Sequence, residues 1–287
     1  MIRPRGKQGV RYRGIFQFCG ALLIGLTAGL GLPAAKAETL AQVLKRADGG
    51  AGRSAPCIFP TPAVAVPGER PHGPCSANII AAIYLDLLRD RERLEIVRAT
   101  ITRQRDLLAA VQRQVEAGIS RSGDSLLAEI EMKYWQRRET QLTSAVLHAE
   151  YFFSTVMDSE PSGFIRPDVP PSAWPADETV ALMALAERET IPEKDQPAAQ
   201  SALKHLWIDY EAARRDYDLL QPMQAFAADL ARATGKQYEI GQVGTATLQE
   251  RYRDATLLHD ALVSAEYRLL TLQLDILERL GRRAAAE

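Results

Sequence analysis

The sequence predicts an all-α protein of two long antiparallel helical hairpins, a coiled-coil-like four-helix arrangement from an internal repeat. Three observations carry this. Apolar residues recur every seven positions through residues 79–117 with no glycine or proline among them, which keeps a hydrophobic seam on one side of a long helix. Proline-rich stretches separate the helical segments and show no alternating run that could form a strand. The glycine-bearing turn of the first hairpin returns 123 residues later in similar surroundings.

Residues 1–37 read as a signal peptide. Arg3, Arg5, Lys7, Arg11 and Arg13 make a basic start, and Ile15 to Leu32 is apolar but interrupted by four glycines. Ala35-Lys36-Ala37 supplies a small-x-small cleavage site before Glu38. The alternative is an uncleaved anchor, because about 18 apolar residues nearly span a bilayer. The glycines and the cleavage site favour cleavage, so the chain is expected to be exported, with Cys19 lost. Beyond Ala37 no stretch is long and apolar enough for a transmembrane helix. The whole chain carries 35 basic and 36 acidic residues, but six of the basic ones and no acid fall in 1–37. The remainder has 29 against 36, a net charge of −7. Such a chain is a poor nucleic-acid binder, because phosphate neutralisation needs clustered Lys and Arg.

Residues 38–78 are expected to hold a short helix and a proline-rich loop with Cys57 and Cys75. An oxidising compartment permits a disulfide between them, and closing that loop would contribute about 3 kcal/mol in the chain-entropy model. Two unpaired thiols on a loose linker are the alternative.

Residues 79–158 form the first hairpin. Ile80, Leu87, Leu94, Ile101, Leu108 and Val115 make one seam line, and Ile83, Asp90, Val97, Gln104 and Val111 the other. Asp90 and Gln104 are polar interruptions. Gly118 ends the helix, since glycine tolerates the positive φ of a helix C-terminus. A second helix starts near Ser122 or Asp124, with Leu127, Ile130, Tyr134, Leu142, Ala145, Ala149, Phe152 and Val156 as its inner face. A connection this short makes the pair antiparallel.

Residues 159–200 read as a proline-rich linker around a short helix opened by Asp177 or Glu178, with Trp174 as an anchor. Residues 201–287 form the second hairpin. Leu203, Leu206, Tyr210, Ala213, Tyr217 and Leu220 make a stripe, Pro222 is expected to kink or interrupt it, and Phe226 and Leu230 resume it. The last helix, from about Thr247 to Leu280, adds Leu270, Leu274 and Leu277 to an already apolar face, so it needs neighbours on more than one side. Val115-Glu116-Ala117-Gly118 parallels Tyr238-Glu239-Ile240-Gly241.

With Gly118, Asp124 and Leu126 in one turn and Tyr238, Glu239 and Gly241 in the other, the chain resembles the TolC family of outer-membrane efflux and secretion channels. Thr39-Leu40-Ala41-Gln42-Val43-Leu44 is also similar to that family's mature start. The resemblance implies a bacterial component of envelope export, in drug efflux or type I secretion, in the periplasm or at the outer membrane. It implies a homotrimer, a periplasmic adaptor and an inner-membrane transporter as partners, and Gly118, Asp124, Tyr238 and Gly241 at the hairpin tips where the adaptor docks. The family completes a β-barrel in the outer membrane, whose strands each need about 9–11 alternating residues. Residues 38–78 and 190–203 contain none, so membrane contact is expected only indirectly. Val243 stands where the family has a basic residue. The alternative function is a non-conducting periplasmic helical scaffold or adaptor.

Other chemistry is not expected. His72, His148, His205 and His259 lack a second ligand at metal spacing. There is no dinucleotide, Walker or nucleophile-elbow motif. Asp86 with Asp90 and Glu129 with Glu131 read as acids on solvated faces, and Arg98, Arg103, Arg105 and Arg113 as a solvated basic side. No enzyme activity, cofactor or metal is expected.

Overall fold

The computed structural model describes residues 42–43, 45, 77–157, 174–188 and 191–281. The signal segment, Cys57 and Cys75 and their pairing, and the prolines of 159–173 lie outside the described residues. Helices α1 (Ala77–Glu116) and α2 (Ser122–Met157) form the first hairpin. A short α3 (Glu178–Ala186) and a 3₁₀ turn (Glu193–Asp195) lead into the second, α4 (Gln196–Glu239) and α5 (Thr245–Arg279). Among the described residues there is no strand.

The seven-residue repeat of α1 is the core. Ile80, Leu87, Leu94 and Ile101 are buried with Trp135, Leu142 and Phe153 of α2 and with Val263 and Tyr267 of α5. Val43, a helical residue ahead of α1 in the chain, is buried in the same cluster. A second cluster joins Ala181 and Leu185 of α3 to Leu203, Trp207 and Tyr210 of α4 and to Ile276 of α5. Helix α5 serves both, because Leu270 and Leu274 pack on the first cluster while Leu269 and Leu272 pack on the second. Its wide leucine face thus has the several neighbours the sequence demands. The hairpins meet mainly through α1 against α5, with a smaller contact of α2 on α5.

Helix ends follow local chemistry. The Asp177 side chain accepts from the Val180 N–H at 2.9 Å and starts α3, satisfying one of the four free N–H groups of a helix start. Trp174, the expected anchor, stacks on Trp207 with ring centres 5.7 Å apart and leans on Tyr210 at 4.7 Å. After α5, Gly281 takes φ 66°, and Arg188 donates from Nη1 to the Arg279 carbonyl at 2.6 Å. A Cβ at Gly281 would lie 2.9 Å from the Arg188 guanidinium carbon. Gly281→Ala therefore combines a left-handed backbone with displacement of that cap. We expect a loss of about 1–2 kcal/mol, read by thermal unfolding, with hydrogen exchange rising at the end of α5 first.

The structure corrects three expectations. Helix α4 runs through Pro222 without interruption. Pro222 is exposed, so the carbonyl it frees can be hydrated and the helix need not end there. The buried stripe of α4 continues through Ala227, Ala231 and Thr234, while Phe226 is 71% exposed. Alanines let α5 approach closely, and the larger side chains fall on the flank. In α2, likewise, Leu127, Ile130 and Tyr134 are exposed, and Ala128, Glu131 and Trp135 are buried instead. The inner face is rotated because Trp135, the largest side chain in this core, takes the interior position and brings its hydrogen-bond acceptor with it.

Candidate functional site

The two hairpin turns are built alike. In the first, Gly118 has φ 69°, its N–H donates to the Val115 carbonyl at 2.9 Å, and the Ile119 N–H donates to the Gln114 carbonyl at 2.8 Å. In the second, Gly241 has φ 74°, its N–H donates to the Tyr238 carbonyl at 2.9 Å, and the Gln242 N–H donates to the Gln237 carbonyl at 2.8 Å. Each bond repeats at an offset of 123 residues. Both are left-handed C-caps that satisfy the last carbonyls of a long helix. The repeat read from a few letters is thus a repeat of backbone hydrogen bonding.

Asp124 closes the other side of the first turn. Its Oδ2 accepts from the Arg121 N–H at 3.2 Å, returning an acid from the first turn of α2 to the residue before the helix. The four residues singled out by the sequence therefore split into two C-cap glycines, one N-terminal acid and one tyrosine. Tyr238 joins the two tips. Its hydroxyl donates to Gln114 Oε1 at 3.2 Å, and Ser120 Oγ donates to the same oxygen at 2.9 Å. Beneath them Leu107, Val111 and Leu248 are buried, with Val115, Tyr238 and Tyr252 packed around. The tips lie side by side at one end. Ile119 and Ile240 stand 78% and 69% exposed there.

Two polar clusters behind the tips fix the hairpins to each other. Glu131, only 3% exposed, accepts from Arg253 through both carboxylate oxygens and from the Trp135 indole N–H at 2.8 Å. Asp260 accepts from Arg93 at 2.6 and 2.9 Å and from Arg138 at 3.3 Å. Burial pushes the Asp260 carboxyl up, but the hydrogen bonds and charge of Arg93, and then of Arg138, outweigh it and hold the group below its ordinary value. Arg93 is held above its own. Asp86 and Asp275, by contrast, are raised by burial before any neighbouring charge. Between the clusters the hydroxyls of Thr100 and Thr256 meet at 3.3 Å.

Sequence reasoning missed most of these partners. Glu131 is not on a solvated face. The available signal was its place four residues before Trp135, since a buried indole N–H seeks an acceptor. Asp90, one of the polar interruptions of α1, lies beside Arg89 and Arg93. Gln104, the other, is 1% exposed, and its amide has no hydrogen-bond partner among the described residues. Among the described residues no group of His, Cys, Asp or Glu is arranged to hold a metal ion.

Comparison with known proteins turns on this architecture. No protein-family model matches the chain, and no curated protein does. Solved structures do. The OprN outer-membrane channel superposes with a TM-score of 0.53 over 70% of this chain, at 15% identity. The CmeC outer membrane channel of Campylobacter jejuni gives 0.58 over 74% at 9% identity, and the outer membrane protein VceC of Vibrio cholerae 0.58 over 71% at 11%. The fold is TolC-like. The chain spans 65% of the OprN chain, 63% of CmeC and 69% of VceC, so it covers under two thirds of the first two. The TolC-like relation expected from the two turns holds at the level of fold, and at these identities it rests on the helical architecture rather than on residues.

Proposed function

We propose that this TolC-like chain is an exported bacterial component of envelope export, working by protein docking through its paired hairpin tips. The observation that carries the reading is the tip pair itself. Two turns with the same cap geometry are tied together by Tyr238 and Gln114, and they present Ile119 and Ile240 to solvent. Covering Ile119 and Ile240 together would bury apolar surface at a docked interface. In this reading a periplasmic adaptor covers them, and an inner-membrane transporter completes the assembly. The chain acts by binding and not by catalysis.

Self-association belongs to the same reading. Leu127, Ile130 and Tyr134 form an exposed row on α2, and Leu219, Met223 and Phe226 another on α4. The second row borders a groove of about 370 Å³ against α5. A homotrimer would bury such rows. Among the described residues no helix is long and apolar enough to cross a membrane.

The test is site-specific photo-cross-linking in intact envelopes from position 119 or 240. Position 183 serves as the control, because Met183 is 61% exposed on α3, outside the tips. We expect adducts from both tip positions to an export adaptor identified by mass spectrometry, with the transporter co-purifying, and none from 183. Equal labelling from all three, or adducts only to unrelated proteins, would count against tip docking. If the tips capture an adaptor but no export activity in cells depends on the chain, the reading narrows to a non-conducting scaffold.

A further inference from the structure

We propose that the cleft between α1, α4 and α5 is a binding site for an oxyanion, a carboxylate or a phosphate group. The cleft has a volume of about 350 Å³, within the range of small-ligand sites. Arg103 enters it from α1, Gln224 and Arg232 from α4, and Tyr252, Thr256 and His259 from α5. No carboxylate lines it among the described residues. Such a lining is unusual in a chain whose residues 38–287 carry a net charge of −7.

Arg103 is oriented by side chains of α1 and α5. Its Nη2 donates to Thr100 Oγ1 at 3.1 Å, and Thr100 is in turn tied to Thr256. Its guanidinium lies over the Tyr252 ring, 5.7 Å from the centre, where the electron-rich face attracts a cation. The ring has room because α4 carries Gly235 beside it: a Cβ there would sit 3.1 Å from the Tyr252 hydroxyl. Arg103 forms no ion pair with a described residue. The other arginine of the lining, Arg232, is already engaged with Asp229 at 3.0 Å. A guanidinium oriented by a hydroxyl and a ring, with no acid to neutralise it, has its remaining N–H groups free for a planar two-oxygen acceptor. The Arg232–Asp229 pair is exposed on both sides and so is cheap to rearrange around a bound anion.

The test is calorimetric titration of the purified protein in chloride buffer with inorganic phosphate and, separately, with glutarate. The two arms distinguish a phosphate from a carboxylate source. We expect saturable binding of one anion per chain by at least one of them, with a dissociation constant of about 1 mM or tighter. Arg103→Gln should weaken it about tenfold or more with helical content unchanged by circular dichroism. Arg103→Lys keeps the charge but not the fork, and it should fall between the two, so it reads the site even if the glutamine variant unfolds. No saturable heat with either anion, or wild-type binding by both variants, would overturn the proposal.

Discussion

Trp135→Ala should lower the stability of the folded chain by about 3–5 kcal/mol, the usual cost of truncating a buried tryptophan. Trp135 is 2% exposed in the cluster that joins α1, α2 and α5. Removing it leaves a cavity at the meeting of three helices. It also takes away the indole donor of Glu131, whose acid then depends on Arg253 alone. For a chain of this size the loss corresponds to a fall in melting temperature of roughly 2–4 °C per kcal/mol. Trp135→Phe should recover much of the packing but not the hydrogen bond. A Trp135→Ala protein that melts like wild type would mean that the hairpins do not meet at this cluster.

Asp260→Asn should cost about 2 kcal/mol or more at neutral pH. The carboxylate is half-buried against Arg93 and Arg138, and the amide that replaces it keeps one neutral acceptor oxygen but loses the charge and the second oxygen that the two guanidinium groups share. The pH dependence has a definite sign. The folded-state pKa lies below the unfolded value, so the contribution is complete above the ordinary carboxylate range and is lost as pH falls through that range towards the folded value. The gap between wild type and Asp260→Asn should therefore close as pH drops below about 4. Asp86 and Asp275 act in the opposite sense, because their folded values are raised: each costs stability once ionised and gives it back on protonation. Denaturant unfolding of both proteins across pH checks this. A gap that widens with acid would contradict the assigned pairing.

Much of the architecture was legible because long-range order here repeats a local rule. A seven-residue apolar repeat without glycine or proline specifies α1, and Gly118 and Gly241 specify the turns, since a left-handed cap admits glycine far more readily than other residues. What failed was the assignment of faces. Leu127, Ile130 and Tyr134 fit a helical stripe as well as Ala128, Glu131 and Trp135 do. The choice between them depends on α5, which the local pattern does not contain. The same holds for Phe226 against Ala227. Of the kink or interruption expected at Pro222, the interruption does not occur, because an exposed proline leaves its orphan carbonyl to water. The tip residues were found as caps. Their pairing was not, because Gln114 and Tyr238 are 124 residues apart in the chain and no local pattern singles out Gln114 as a partner.

Two repeats fold into equivalent hairpins whose tips lie side by side, and the proposed docking surface depends on that pairing. The most direct measurement places cysteines at 114 and 238, where Gln114 and Tyr238 touch, and treats the protein with a short bis-maleimide. Mass spectrometry of the digest identifies which positions are joined. We expect a high-yield intramolecular link between 114 and 238, and none when the second cysteine is moved to 183 on α3. Failure to link 114 to 238 under conditions where both cysteines label singly would show that the tips stand apart, and the paired docking surface would go with them.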